Sequence, residues 1–218
     1  MKKFFLVALF IVMCCTFWGC KNNSSMFPYV SEVRKNILYG EKDGYGIKAC
    51  LYESEVPKTD DGTVNRRLPF IGFNLLCDST DAAYTLSFSL NGKKYSDRFE
   101  VDPLSGVLTL DAEVDGINFS ALTVTLSVAD EITEINLASV VPQNVLSPDD
   151  ALKNVYNNNT ALFDVFNKDG KFAAEIRIKI TVKDDKAYYF FSLSDGKNHK
   201  VFLADGVTAE VLAVREVF

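Results

Sequence analysis

The chain of 218 residues contains one histidine, His199, and histidine is the side chain most often recruited for general acid–base catalysis. It follows the turn-like run Asp195-Gly196-Lys197-Asn198, so we expect it to be solvent-exposed in a hairpin loop. Ser194 and Lys197 have the Ser-x-x-Lys spacing of serine acyltransferases, but a glycine-containing turn does not hold these two side chains face to face as a helix would. Sequence motifs of zinc proteases, α/β-hydrolases, phosphate-binding loops and thiol redox sites are absent. The sequence therefore predicts that the protein is not an enzyme.

Acidic turns could bind calcium, and one of them partly matches a calcium-binding loop. Asn167-Lys168-Asp169-Gly170 reproduces positions 3 to 6 of an EF-hand loop. Val165 and Ile176 stand at positions 1 and 12, where the motif requires carboxylates. Acidic and amide side chains also serve turns without any metal, because they accept backbone hydrogen bonds there. We expect no metal and no cofactor, with a calcium site in the loops of a β fold as the alternative.

The first twenty residues carry a thiol at the end of an apolar segment. Lys2 and Lys3 form a short basic region, and the apolar run Phe4–Met13 follows it. Gly19 then stands directly before Cys20, and a polar stretch begins after the cysteine. This order of basic, apolar and small residues is typical of a secretory signal peptide. Cleavage before Cys20 would make this cysteine the first residue of the mature protein.

The segment resembles a bacterial lipoprotein signal, although Phe17 and Trp18 replace the usual aliphatic and small residues. The resemblance implies that residues 1–19 are a signal peptide and that Cys20 receives diacylglyceryl and fatty acyl groups, such as palmitate. Two acyl chains hold a protein stably on a membrane, whereas one chain is marginal. The protein would then lie on the outer face of the cell membrane, exposed to the extracellular or periplasmic side. An uncleaved anchor over residues 4–20 is the alternative.

The charge of the mature chain limits its partners. Removing residues 1–19 leaves 199 residues with 21 basic and 29 acidic side chains, a formal charge of −8. Binding to nucleic acid requires clustered Lys and Arg, and the longest basic runs here are the pairs Arg66-Arg67 and Lys93-Lys94. We expect no nucleic acid partner. The expected partners are the membrane, through the lipid on Cys20, and a protein or a component of the cell envelope.

Two cysteines, Cys50 and Cys77, remain in the body of the chain. An exported protein can form a disulfide, and a hairpin centred near Gly62-Thr63 would bring these two residues roughly opposite each other. A disulfide directly across paired strands is strained, however. Two alternatives therefore stay open, a Cys50–Cys77 disulfide and two free, buried thiols.

Residues 29–145 are dominated by period-two alternation and turn signals, after a polar tether at residues 20–28. The clearest strand is Tyr84–Leu90, which ends in Asn91-Gly92, a strong signal for a two-residue hairpin. Seven or eight short strands without a helix between them predict an antiparallel β-sandwich of immunoglobulin-like architecture, with a small barrel as the alternative. We expect strands at Ile37–Tyr39, Tyr45–Glu53, Leu68–Cys77, Tyr84–Leu90, Lys94–Val101, Val107–Val114, Ala121–Val128 and Glu134–Val141.

The pattern changes near Val141-Pro142. Ser147 and Pro148 have the residue types of a helix N-cap and a first helical position, and two acidic residues follow them. The helix is expected to reach Phe163 or Phe166 unless the run of three asparagines at 157–159 breaks it. Residues 146–218 are therefore predicted to form a small α+β unit, a helix lying across an antiparallel sheet. Its strands are expected at Phe172–Val182, Tyr188–Leu193, Lys200–Asp205 and Ala209–Val217.

Residues 188–216, together with the helix after Pro148, carry a resemblance to a known family. An aromatic-rich strand, a turn at Asp195-Gly196 and an apolar strand lead into Gly206-Val207-Thr208-Ala209-Glu210. This part resembles the PepSY module of secreted and membrane-attached bacterial proteins, with Ala209 where that family commonly has glycine. The resemblance implies a role in the inhibition or folding of proteases, or a role as a surface module.

Four aromatic residues in a row, Tyr188, Tyr189, Phe190 and Phe191, are the candidate binding patch. In a strand two of them must point away from the core, where they could contact a sugar or a peptide. Burial against the helix or the other domain is the alternative. Taken together, the sequence predicts a non-catalytic, surface-exposed lipoprotein that acts as a binding or interaction module. The other possibilities are a protease modulator that acts through the C-terminal module and a cell-envelope hydrolase.

Overall fold

The computed structural model describes residues 25–59 and 63–217. The predicted signal peptide, Cys20 and most of the predicted tether lie outside these ranges. Within them the chain is mainly β, as predicted, with fifteen strands and two short α-helices after a 3-10 turn at Phe27–Tyr29. No helix in these two ranges has the length and apolar character needed to cross a membrane.

Nine strands precede the first helix, and six follow the second. The first nine are β1 (Val30–Lys42), β2 (Tyr45–Glu55), β3 (Arg67–Leu76), β4 (Tyr84–Leu90), β5 (Lys93–Arg98), β6 (Glu100–Val101), β7 (Leu108–Glu113), β8 (Ala121–Val128) and β9 (Glu131–Ser139). The remaining elements are α1 (Pro148–Asn158), α2 (Ala161–Asp164), β10 (Asn167–Lys168), β11 (Lys171–Phe172), β12 (Glu175–Lys183), β13 (Lys186–Ser194), β14 (His199–Asp205) and β15 (Val211–Val217).

Strand β1 joins the two halves of the molecule. One of its edges pairs with β2 in antiparallel fashion along most of its length. The other edge is divided, because Val30–Arg34 pair in parallel with β12, whereas Leu38 and Tyr39 pair in antiparallel fashion with β9. Asn36 lies between these two ladders and bonds to both the end of β9 and the loop before β8. Its Oδ1 accepts a hydrogen bond from Ser139 Oγ at 2.7 Å, and its Nδ2 donates to the carbonyl oxygen of Phe119 at 3.3 Å.

The strands up to β9 surround one hydrophobic core in a barrel-like sandwich. Strands β6, β7, β3, β2 and β1 form one side and β5, β4, β8 and β9 the other, and the two sides meet where β9 pairs with β1. Phe73, Phe88 and Leu126 are among the residues packed between them. At the junction, a Cβ on Gly40 would collide with the backbone oxygen of Asn136. A residue without a Cβ therefore allows β9 to approach β1.

A second hydrophobic cluster lies between α1 and the sheet β12–β15. Helix α1 begins as predicted, since Ser147 Oγ accepts a hydrogen bond from the backbone N–H of Asp150 at 3.1 Å. It ends at Asn158, so the helix does not continue to Phe163, which belongs to the separate helix α2. Val30 and Val33 of β1 also belong to this cluster. The predicted boundary between residues 145 and 146 therefore divides a core to which both sides contribute.

Residues 142–147 connect β9 to α1 and are bound to the second half of the molecule. The backbone N–H of Leu146 donates to the carbonyl oxygen of Gly206 at 2.9 Å. The hydroxyl of Tyr189 donates to the carbonyl oxygen of Leu146 at 2.7 Å. Val145 and Leu146 are also partly buried against the second cluster. This segment is thus attached to the fold by hydrogen bonds and apolar contacts.

Candidate functional site

A cleft of about 450 Å³ lies on the face of the sheet that carries Phe190, where β12 and β13 stand beside β1, β2, β3 and β7. The strand registers place five residues side by side across this face, one from each of five neighbouring strands. From β13 to β3 they are Phe190, Lys179, Arg34, Tyr52 and Phe70. The centre of the row is cationic, and aromatic rings lie on both sides of it.

One carboxylate, that of Glu32, forms ion pairs with three cations at one end of the cleft. Its oxygens lie 2.9 Å from Arg34 Nε and 3.9 Å from the ammonium nitrogens of both Lys58 and Lys179. Burial would raise the pKa of Glu32, but Lys179, Arg34 and Lys58 outweigh this effect and hold the pKa below its usual value. Burial, together with the neighbouring charges of Arg34, Arg177 and Lys58, lowers the pKa of Lys179. Among the described residues, three cations therefore share the one carboxylate of Glu32.

Tyr52 forms the floor of this region. Its hydroxyl donates a hydrogen bond to Asp111 Oδ1 at 2.9 Å, and its ring stacks on Phe70 with a centroid distance of 5.4 Å. The guanidinium carbon of Arg34 and the ammonium nitrogen of Lys58 each lie 5.8 Å from the centre of the Tyr52 ring. Burial and then the charge of Asp111 raise the pKa of Tyr52 well above its usual value, so the phenol stays protonated. The floor is thus a neutral ring in cation–π contact.

The cleft continues along β2 towards Lys48. Lys48 lies four residues before Tyr52 on the same face, a separation of roughly 13 Å along the strand. The lining as a whole carries four cations and two carboxylates, Asp102 and Asp111. Both carboxylates already have partners, because Asp102 accepts hydrogen bonds from the backbone of its own turn and Asp111 accepts one from Tyr52. An acidic chain therefore presents a cleft in which cations predominate.

The four aromatic residues of the predicted patch do not share one surface. Tyr189 and Phe191 are buried in the second hydrophobic cluster, with 1% and 0% of their surface exposed. They cannot belong to a binding patch, because alternate residues of a strand face opposite sides of the sheet. Tyr188 is half-buried, and Phe190 is 41% exposed and lines the cleft. Of the predicted patch, Phe190 therefore belongs to the candidate site.

Of the two alternatives for Cys50 and Cys77, the structure has two free thiols, and both are half-buried. The β2–β3 register places Cys50 opposite Gly72, five residues before Cys77, so the two cysteines stand roughly 16 Å apart along the strands. The hairpin is therefore not centred where the sequence suggested. Cys50 lines the cleft beside Arg34, and burial raises the pKa of its thiol. Cys77 lies at the end of β3, with its sulfur 3.0 Å from the carbonyl oxygen of Ser79.

His199 is the first residue of β14, so its predicted place in the hairpin loop is wrong. Its Nε2 lies 2.7 Å from Ser192 Oγ on the neighbouring strand, a pairing that the sequence analysis missed. A serine–histidine pair becomes a strong nucleophile when a third group orients the imidazole. In the part of the chain that the structure describes, the contact with Ser192 is the only hydrogen bond of the His199 side chain. Ser194 is the last residue of β13, and Lys197 lies in the turn before β14. Ser194 Oγ accepts a hydrogen bond from the Gly196 N–H at 3.3 Å.

The turn that resembles part of a calcium loop joins two very short strands, β10 and β11. Asp169 and Gly170 have positive φ angles of 51° and 76°, which fits the role of a tight hairpin turn. Within residues 25–59 and 63–217, no three His, Cys, Asp or Glu side chains are grouped so that they could hold a metal ion.

The arrangement is suited to binding a negatively charged group. Arg34, Lys58 and Lys179 converge on one side of an open cleft, and Phe190 provides an exposed aromatic ring beside them. Cations next to aromatic rings are typical of recognition surfaces. Comparisons of the chain with protein families, with curated proteins and with solved structures gave no match, so the chemistry of the cleft itself guides the functional proposal.

Proposed function

We propose that the protein is a non-catalytic binding module, held on the outer face of the cell membrane by a lipid on Cys20. It binds a component of the cell envelope or a surface protein through the cleft between β12–β13 and β1–β3. The observation that carries this proposal is the group of three cations, Arg34, Lys58 and Lys179, around the single carboxylate Glu32. A surface that concentrates one sign of charge against the net charge of the chain attracts ligands of the opposite sign.

Co-sedimentation with cell envelopes of the producing cells tests this proposal, with the full chain kept in non-ionic detergent. The variant Lys179→Glu/Phe190→Ala changes the cleft. The control Lys94→Glu/Ile132→Ala makes the same charge reversal and truncates another exposed apolar side chain on the other side of the sandwich. The cleft variant should lose most of the bound fraction, and the control variant should keep it. Thermal melting of both variants checks that they fold. Equal binding by the two variants would contradict the proposal.

We further propose that α1 and β12–β15 form a PepSY-like unit, completed by β1. The packing of α1 on the sheet supports this proposal. Ala209 supports it more specifically, because it has a φ of 60° at the position where the resembling family commonly has glycine. A protease modulator is therefore the second candidate function. Inhibition of a protease from the producing cells by the purified protein tests it, and a protease activity unchanged by an excess of the protein would exclude it.

The pairing of Ser192 with His199 favours a hydrolase as the remaining alternative. The non-catalytic proposal expects no release of soluble sugar or peptide when the protein is incubated with cell envelopes. Release that disappears in Ser192→Ala would overturn that proposal. The same variant keeps the fold, because Ser192 is half-buried and lies outside both hydrophobic clusters.

A further inference from the structure

We infer that the cleft binds an anionic oligosaccharide, with an acidic group between Arg34 and Lys179 and a sugar ring packed on Phe190. The inference rests on the proposed binding function of the cleft, and it adds the class of ligand. Three features of the cleft carry it, namely the unbalanced cations, the exposed aromatic ring beside them and the separate cation at the far end.

The first feature is the charge around Glu32. Among the described residues, the only ion pair of Arg34 is the contact between its Nε and Glu32. Within the described ranges, the terminal nitrogens of the guanidinium therefore have no carboxylate partner, and they are the groups that bind carboxylates and sulfates in a bidentate manner. Lys179 lies next to Arg34 in the β12–β1 register. Three cations surround one carboxylate, so one further negative charge between these two side chains would offset part of the positive charge that Glu32 leaves uncompensated.

The second feature is the position of Phe190. It stands directly opposite Lys179 in the β13–β12 register, so their Cβ atoms lie about 5 Å apart on the same face. A pyranose ring has an apolar C–H face that can pack on an exposed aromatic ring, while its acidic substituent reaches the neighbouring cations. A simple anion would use the cations but would leave the ring of Phe190 exposed. An anionic sugar would contact both the cations and the ring of Phe190.

The third feature is the length of the cleft. Lys48 lies roughly 13 Å from the level of Tyr52, and no ion pair of Lys48 occurs among residues 25–59 and 63–217. Asn74 and Thr109 line the cleft near it and offer neutral hydrogen-bonding groups of the kind that sugar hydroxyls need. A chain of a few sugars could therefore place a second acidic group at Lys48.

Isothermal titration calorimetry on the full chain in non-ionic detergent tests the inference. The probes are tetragalacturonate, which carries carboxylates, a heparin tetrasaccharide, which also carries sulfates, and the neutral maltotetraose. We expect the two acidic probes to bind at least about tenfold more tightly than maltotetraose. Added salt should weaken the binding of both acidic probes. The stronger of the two acidic probes identifies the kind of acidic group.

Variants then locate the binding. Lys179→Gln and Phe190→Ala should each lower the affinity for the acidic probes about tenfold. Lys48→Gln should lower this affinity less, because the Lys48 side chain is exposed. Lys94→Gln and Ile132→Ala are the matched controls, and they should leave the affinity unchanged. Phe190→Ala should also remove the preference for tetragalacturonate over a poly-glutamate peptide of equal charge.

Several results would overturn the inference. Maltotetraose could bind as well as the acidic probes, the control variants could weaken binding as much as the cleft variants, or poly-glutamate could bind the unchanged protein as tightly as tetragalacturonate. The last result would indicate an acidic protein partner. If the cleft variant lost its binding to cell envelopes while no acidic oligosaccharide bound, the inference would fail and the proposed binding function would stand.

Discussion

Gly72 allows Tyr52 to reach Asp111 at the floor of the cleft, and Gly72→Ala tests how much this contact contributes to stability. A methyl group on residue 72 would lie 2.7 Å from Asp111 Oδ1 and 3.3 Å from Tyr52 Cε1. The first distance is too short for a carbon and an oxygen that do not share a bond. The carboxylate of Asp111 must therefore move, and we expect this shift to break its hydrogen bond with the Tyr52 hydroxyl.

The expected loss is the difference between two effects. A hydrogen bond to a charged acceptor contributes about 1.5–3 kcal/mol to the free energy of unfolding. Replacing glycine by alanine restricts the unfolded chain, which raises the free energy of unfolding by about 0.4–1 kcal/mol where the backbone conformation permits alanine. The φ of Gly72 is not in the left-handed region, so alanine is permitted there and this stabilising effect applies. We expect Gly72→Ala to lower the free energy of unfolding by about 1–2 kcal/mol.

Urea unfolding, followed by circular dichroism, measures this loss. Gly116→Ala is the matched control, because nothing lies within 4 Å of the position that its Cβ would take. It should change the free energy of unfolding by less than about 0.5 kcal/mol, or raise it slightly. In the background of Tyr52→Phe, where the hydrogen bond is already absent, Gly72→Ala should cost less than about 0.5 kcal/mol. The reasoning is refuted if Gly72→Ala costs the same in both backgrounds.

Three further predictions concern other parts of the molecule. A hydrogen bond from the backbone N–H of Asn198 and an ion pair with Lys168 at 2.8 Å hold the pKa of Asp195 below its usual value of 3.8. Asp195→Asn should therefore lower the free energy of unfolding by about 1–2 kcal/mol at pH 7. This cost should shrink as the pH falls below about 4, because the Asp195 carboxyl takes up a proton there in the unfolded chain while the folded protein keeps it ionised to lower pH. A difference that stayed constant from pH 7 to pH 3 in urea unfolding would contradict this. Chymotrypsin should cut first after Leu104, which is 96% exposed, and later at 142–147, where hydrogen bonds and apolar contacts attach the chain to the fold. Mass spectrometry of the fragments checks the order, and early cleavage at 142–147 would support separable domains. Cys20→Ala should abolish labelling by fatty acid and release the protein from the membrane fraction; a label that persisted would exclude Cys20 as the anchor.

The elements that the sequence predicted well depend on local signals. Asn91 and Gly92 form the expected turn after β4, with positive φ angles of 53° and 80°. Ser147 caps α1, as its residue type indicated. Strand β8 has the predicted bounds Ala121–Val128, since alternation along a half-buried strand is visible without knowledge of its partners. In each case the residues that determine the element are neighbours in the sequence.

Strand β1 was predicted poorly because its structure depends on distant residues. Only Ile37–Tyr39 was expected to be a strand, whereas β1 extends from Val30 to Lys42. Its first four residues are all buried and do not alternate, because it is covered on both faces near β12. A parallel pairing across most of the chain has no local signal. The boundary between a sandwich and a separate α+β unit was consequently drawn through a core that both share.

The candidate site was largely hidden for the same reason. Phe190 was identified from its aromatic neighbours, but Lys179, Arg34 and Tyr52 come from three other strands and form one row only through the registers. In the sequence, Lys179 stands among alternating residues and is typical of an exposed strand face, whereas Arg34 precedes the expected strand Ile37–Tyr39. The excess of positive charge becomes visible when the three cations are seen around Glu32.

The divided edge of β1 has a consequence for the order in which the protein is completed. β1 is synthesised long before β12, and the contact from Ser31 Oγ to the carbonyl oxygen of Ile176, at 3.5 Å, spans 145 positions of the chain. Until β12 arrives, Val30–Arg34 present an unpaired edge and the apolar side chains of Val30 and Val33 lack their cover, a state that favours aggregation or capture by a chaperone. One wall of the cleft, with Lys179 and Phe190, arrives with the same late strands. Ligand binding at the cleft would thus report that synthesis and folding have finished, because a chain interrupted before β12 has neither a closed edge nor a complete site.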